Sequence, residues 1–268
     1  MRDDFDGPLG ARWNLVRLGG GEVASADSLL RLSYERATAE AYTDAQIDDY
    51  GARKRSDFPW RPPLRLEVRA RASHPAAHRS GTGGRFALVG TAGFGFWNLP
   101  FSTSGKMFRL PEAVWFFYAS PPSQMQLVRG SPGWGWKAQV VHAQRLGAVA
   151  AGLPMLASVG WARLTGNQYR ASQWMERLTG AHETQLDADF SEWHDYTLEW
   201  RRTSARFWVD NALVFEAPNP PPGPLGFVAW IDNQYAIATP RGELRFGLLN
   251  SGPQWLEIDS VVITPLLS

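Results

Sequence analysis

Leu64-Arg65-Leu66-Glu67-Val68-Arg69-Ala70-Arg71-Ala72 alternates without a break. Leu64, Leu66, Val68 and Ala70 fall on one side of an extended chain, and Arg65, Glu67, Arg69 and Arg71 on the other. Side chains project to opposite faces of a strand with period two, so this stretch reads as a strand with one buried and one wet face. The same period recurs upstream in Ser28–Ser33, around Leu30 and Leu32, after the Gly19-Gly20-Gly21 turn. Downstream it recurs in Tyr196–Trp200 and Ala205–Val209, which a turn at Arg202-Thr203-Ser204 joins into a hairpin closed by Asp210-Asn211. Leu225–Ile231, Glu243–Leu249 and Trp255–Ile263 supply the last strands. Glu112–Ala119 (EAVWFFYA) is apolar on both faces, as a central strand covered on each side should be. Many short strands at regular spacing predict an all-β, two-sheet antiparallel jelly-roll sandwich. No internal repeat or linker divides residues 1–268, so one domain is expected.

One region breaks the pattern. Residues 141–183 are rich in Ala, Leu, Arg and Gln, and Tyr169–Leu178 has an amphipathic helical spacing. The expectation is a helical insertion lying over one end of the sandwich. Its uncharged run between Arg145 and Arg163 is interrupted by Gly147, Gly152, Pro154 and Gly160, which argues against a membrane span.

Composition narrows the partners. Lys and Arg number 27 against 26 Asp and Glu, a net charge of +1. Nothing in that balance favours a phosphate backbone, so no nucleic acid is expected. There is no cysteine, which removes thiolate nucleophiles, disulfides and Cys-ligated metals. The five histidines have no metal-ligand spacing, and no phosphate loop, dinucleotide fingerprint or Gly-x-Ser-x-Gly elbow occurs; no metal and no cofactor are expected. The N-terminal residues Met1–Asp6 lack the apolar stretch of a signal peptide, so a cytoplasmic location is expected. Thirteen tryptophans are unusual; most are expected in the core, but large aromatics also stack on sugar rings and other flat ligands.

Four segments together resemble the concanavalin A-like lectin/glucanase superfamily, in particular family 16 glycoside hydrolases and their non-catalytic relatives. They are Asp4–Leu9 with Trp13, the hairpin Trp193–Asn211, Pro224–Asn233, and the closing Leu256–Ile263. The resemblance implies a jelly roll with a ligand groove on its concave face. It carries no catalytic residue over. The family's enzymes bear Glu-x-Asp-x-Glu on the central strand, whereas the strand expected there, Val114-Trp115-Phe116-Phe117-Tyr118, has no carboxylate after Glu112.

The remaining candidates come from residue chemistry. Gln46, Asp48 and Tyr50 share one strand face. Trp230, Asp232, Asn233 and Gln234 combine an aromatic platform with directional polar groups, the composition of a carbohydrate site. Phe94, Phe96, Trp97 and Asn98 form a second aromatic cluster, joined by Trp115 and Tyr118; some of it must be core, and Trp97 and Asn98 are its groove candidates. Gly133-Trp134-Gly135-Trp136 reads as a loop holding Trp134 and Trp136 as stacking surfaces. If the chain is an enzyme, Asp48 and Asp232 are the acid/base candidates. Three functions compete: a lectin-like protein binding a small-molecule or oligosaccharide ligand in an aromatic groove, a glycoside hydrolase or lyase with non-standard carboxylates, and a binder or converter of a small hydrophobic metabolite beneath the insertion.

Overall fold

The computed structural model describes residues 1–77, 86–99, 111–125, 128, 131–143, 180–238 and 244–267. In chain order the strands are β1 (Arg2–Asp3), β2 (Asn14–Leu18), β3 (Glu22–Ala26), β4 (Leu29–Tyr34), β5 (Asp44–Asp48), β6 (Leu64–Ala72), β7 (Thr91–Trp97), β8 (Glu112–Ala119) and β9 (Gln124–Met125). They continue as β10 (Gly135–His142), β11 (His182–Gln185), β12 (His194–Trp200), β13 (Ser204–Val209), β14 (Ala212–Pro218), β15 (Gly226–Asp232), β16 (Gln234–Ala238), β17 (Leu244–Leu248) and β18 (Gln254–Pro265). Two large antiparallel sheets face each other. The first runs β14-β13-β12-β6-β18-β4-β3, with β1 added beside β18; the second runs β11-β10-β8-β7-β15-β5-β2. A small third sheet, β17-β16-β9, continues from the end of β15.

The alternation in LRLEVRARA does what its pattern dictates. Leu64, Leu66, Val68, Ala70 and Ala72 are buried, while Arg65, Glu67, Arg69 and Arg71 point away from the facing sheet. The buried side chains share one apolar cluster with Phe94 and Phe96 of β7, Val114, Phe116 and Tyr118 of β8, and Phe227, Ala229 and Ile231 of β15. On β18 a bulge between Ile258 and Ser260 shifts the pairing with β6. The extra residue inverts the strand's parity. Leu256 and Ile258 point inward before it, and Val261 and Ile263 after it.

The expected helical insertion is not seen where it can be judged. Among the described residues the only helical element is a single 3-10 turn, Arg55–Asp57. Val141 and His142 close β10, and His182 and Glu183 open β11, which pairs with β10. Residues 144–179, including Tyr169–Leu178, lie outside the described residues. Helix-favouring composition at the two margins loses to the pairing offered by a neighbouring strand, because local propensity is a weak prior against tertiary contacts.

Candidate functional site

The outward face of the seven-stranded sheet follows from its register. Residues paired across antiparallel strands share a face, so the side chains form rows. One row is Asp48–Val228–Gly95–Trp115–Gln139–Glu183, and the next is Gln46–Trp230–Gly93–Phe117–Lys137–Gln185. On one side of these rows Trp97 pairs with Ala113 and Gly226; on the other, Asp44 pairs with Asp232, which pairs with Thr91.

The centre of this face is an aromatic ledge. Trp115 lies 5.2 Å from Trp230, 5.9 Å from Trp97 and 5.3 Å from Phe117, centroid to centroid. Two glycines make room for it. A β-carbon on Gly95 would sit 2.5 Å from Trp115 Cβ, and one on Gly93 would sit 3.0 Å from Trp230 Cη2 and 2.3 Å from the Phe116 carbonyl oxygen. The Gly-Phe-Gly-Phe alternation of β7 therefore has two consequences: Phe94 and Phe96 fill the core, and the bare outward positions let indoles from both neighbours lie across the strand. Each indole N–H is satisfied, Trp97 by Tyr50 Oη at 2.7 Å, Trp115 by Gln139 Oε1 at 2.7 Å, and Trp230 by Thr91 Oγ1 at 2.9 Å. The rings are thereby held in fixed orientation. Trp97 and Trp115 remain half-exposed.

Polar groups flank the ledge on both sides. Beyond Trp115, Gln139 Nε2 donates to Glu183 Oε2 at 2.7 Å, and Lys137 Nζ lies 2.9 Å from Glu183 Oε1. The ion pair is almost wholly buried, with side-chain exposures of 2% and 0%. Burial pushes the Lys137 ammonium's pKa down, and Glu183 opposes that shift. On the opposite side Asp44 and Asp232 stand directly across from each other, where Cβ atoms of paired strands are about 4.5–5.5 Å apart. Asp232 accepts from Thr91 Oγ1 at 2.8 Å, Gln234 N at 3.0 Å and, more loosely, Tyr42 Oη at 3.4 Å. Desolvation nevertheless raises its pKa to about 6. Asp44 is raised as well, first by desolvation and then by the Asp232 charge, and its buried Oδ1 has no hydrogen-bond partner among the described residues. A buried carboxylate pair favours holding a proton.

The sequence candidates separate against this frame. Trp97, Trp115, Trp230 and Gln46 share the outward face, Asn98 follows Trp97 directly, and Gln234 follows at the start of β16. Trp134 is half-buried in the bend before β10. Tyr118 and Trp136 are corrections. Tyr118 has the parity of Val114 and Phe116, Trp136 pairs with it across the sheet, and both are fully buried between the sheets. Trp136 stacks on Phe190 at 4.0 Å, and Tyr118 donates to the Leu88 carbonyl at 2.6 Å. Asn233 is likewise a clamp: its amide donates to the carbonyls of Thr38, Ala41 and Leu249, and its Oδ1 accepts from Thr43 N. Asp48 accepts from Asn14 Nδ2, Gln46 Nε2 and the backbone N–H groups of Tyr50 and Gly51, which fixes the turn after β5.

Asp48 and Asp232 do not form an acid/base pair. Asp48 pairs with Val228 and Asp44 with Asp232, so the two are four register positions apart, about 13 Å at roughly 3.3 Å per residue. Glycoside hydrolysis needs carboxyl groups about 5–5.5 Å apart for retention or about 6.5–9.5 Å for inversion. Asp44, Phe117, Lys137, Gln139 and Glu183 also belong to this face and are not among the sequence candidates. Polar Lys137 and Gln139 at alternate positions of an otherwise apolar strand were a visible signal; the Glu183 partnership, 46 residues away, was not. Among the described residues no group of three or more His, Asp or Glu side chains is arranged to hold a metal ion.

Comparison with known proteins places the architecture. No family model matches the chain, and no curated protein matches it. Solved structures do match over full length. The chain superposes on a laminarinase catalytic domain from Thermotoga maritima with a TM-score of 0.52 and 10% identity, covering 100% of this chain and 98% of that one. The fold is that of the concanavalin A-like glucanases. The immunostimulatory antigen and pseudo β-1,3-glucanase of Mycobacterium tuberculosis matches with a TM-score of 0.51 and 14% identity, over 100% and 98% of the two chains. A structure from work on endo-acting O-glycanases of the human gut microbiota matches with 0.53 and 14%, over 100% and 99%. At these identities the likeness is one of fold. Within this fold, the outward positions of β8 carry Ala113, Trp115, Phe117 and Ala119 and no carboxylate.

Proposed function

We propose that this protein binds an oligosaccharide non-catalytically, on the aromatic ledge of its seven-stranded sheet. The observation that carries the reading is the ledge itself. Trp97, Trp115 and Trp230, each with its N–H satisfied, converge over the bare positions Gly93 and Gly95. Flat apolar rings, with Trp97 and Trp115 half-exposed and the part-exposed Gln46 beside them, suit the faces and hydroxyls of a pyranose chain. The missing β8 carboxylates support binding without hydrolysis, since the outward positions there are aromatic or Ala. The fold neighbours named as glucanase, laminarinase and O-glycanase favour a glycan as the ligand class. Calorimetric titration with β-glucan and mucin-type oligosaccharides tests the reading: saturable binding weakened by Trp115→Ala supports it, and no binding by any glycan refutes it.

A second reading, hydrolysis by non-standard carboxylates, is favoured by one observation. Asp44 and Asp232 face each other beside the ledge with raised pKa values, the pattern of an acid kept protonated near neutrality. Product analysis after incubation decides between the two, with new reducing ends abolished by Asp232→Asn supporting hydrolysis.

A further inference from the structure

A cleft of about 360 Å³ opens at the Trp97 end of the ledge. Its walls are Arg55 and Ser56 from the 3-10 turn, Arg61 from the loop before β6, Asn98 and Glu112 from the ends of β7 and β8, and the Pro222-Gly223-Pro224 turn before β15. The volume lies in the range of small-molecule sites. The cleft adjoins the Trp97 end of the ledge along the chain, and none of the ledge's rings is part of its lining. Asn98 follows Trp97, Gly226 pairs with Trp97, and Tyr50, which accepts the Trp97 N–H, stacks at 4.8 Å on Phe58, the residue that ends the 3-10 turn.

The cleft's chemistry differs from the ledge's. Two guanidinium groups line it against one carboxylate. Arg55 is held in place by donating Nε to the Asn98 carbonyl at 2.9 Å and to the Leu99 carbonyl at 3.0 Å. Glu112 lies 3.6 Å from His142 Nε2 on the neighbouring strand. Arg61 is exposed, and no ion-pair partner for it occurs among the described residues. Its backbone is fixed on one side by the Trp60–Leu225 bridge. A planar guanidinium on a fixed backbone matches carboxylate and sulfate oxygens in two-point fashion.

From this arrangement we infer that the cleft receives an anionic substituent, a carboxylate or a sulfate, carried by a sugar of the glycan on the ledge. The inference rests on the carbohydrate reading and assigns it a class of ligand: an acidic oligosaccharide, with the ring stacked at Trp97 and its charge on Arg61. An anion held by hydrogen bonds to a charged donor gains roughly tenfold in affinity over a neutral analogue. Because Arg61 is exposed, that gain falls as ionic strength rises.

The test is calorimetric titration of the full chain with three probes of equal length: a neutral β-1,3-linked glucose oligomer, its form oxidised to uronate at C6, and its sulfated form. The expected result at low ionic strength is a roughly tenfold preference for at least one acidic probe, abolished by Arg61→Gln and retained in part by Arg61→Lys, with affinity for the neutral probe unchanged by either. Preference for the uronate or for the sulfate identifies the substituent. Equal affinity for all three, or a preference that survives Arg61→Gln, overturns the inference and leaves the carbohydrate reading standing. No binding by any probe, the neutral one included, overturns both.

Discussion

Burying Asp232 makes the protein's stability depend on pH in an unusual direction. Its carboxyl has a pKa of about 6 in the folded chain against an ordinary value of 3.8. The folded state therefore binds a proton that the unfolded state has released, between pH 4 and 6. Stability rises with pH where the unfolded state holds more protons; here the folded state holds more, so stability falls. The contribution is fully present below about pH 4 and is lost as pH rises through about 6. A shift of roughly two units at 1.36 kcal/mol each gives about 3 kcal/mol. Asp49, also raised to about 6 by desolvation, acts in the same direction. Asp232→Asn removes the titrating group while keeping the side chain's shape. Urea denaturation at steps between pH 4 and 7.5 is the assay, read as the wild-type slope minus the variant's. The expected outcome is that the wild type loses about 3 kcal/mol more than Asp232→Asn across this range. Parallel curves would refute the claim that Asp232 is held protonated by burial.

Other outcomes follow from the same geometry. Glu183→Gln leaves the Lys137 ammonium buried without its counter-ion and should cost about 3–5 kcal/mol by denaturant unfolding, most of it recovered in Lys137→Met/Glu183→Leu. Gly95→Ala forces a β-carbon to within 2.5 Å of Trp115 Cβ; it should cost about 1–3 kcal/mol and shift the tryptophan emission spectrum. Asp48→Ala strips four donors of their acceptor, so it should destabilise the chain by about 1–3 kcal/mol in the same unfolding assay.

Much of this fold was legible in residue alternation, and the reasons for the misses are physical. Leu64–Ala72 declared its buried face because one face is wet. Glu112–Ala119 did not, since both faces are apolar: Val114, Phe116 and Tyr118 look into the core, while Trp115 and Phe117 look out. Composition alone could not assign Tyr118 and Trp136 to the inside, but one residue of register does. Asp48 and Asp232 looked like partners because both sit on strands flanking the same face. Antiparallel pairing sets them four positions apart and brings Asp44 to Asp232 instead. The Glu183–Lys137 contact depends on a strand that returns after 46 residues, and no local pattern encodes that. At the margins of the expected insertion, Val141 and His142 pair with β8, and His182 and Glu183 pair with β10, because each sheet edge carries backbone groups that a neighbouring strand satisfies.

The most direct test of the central claim is calorimetric titration of β-glucan and mucin-type oligosaccharides into wild type and Trp115→Ala, with product analysis of every mixture. The account predicts saturable binding by the wild type, at least roughly tenfold weaker in the variant once about 1.4 kcal/mol or more of ring stacking is lost, and no cleaved product. Binding that Trp115→Ala leaves intact, or release of new reducing ends, would contradict it.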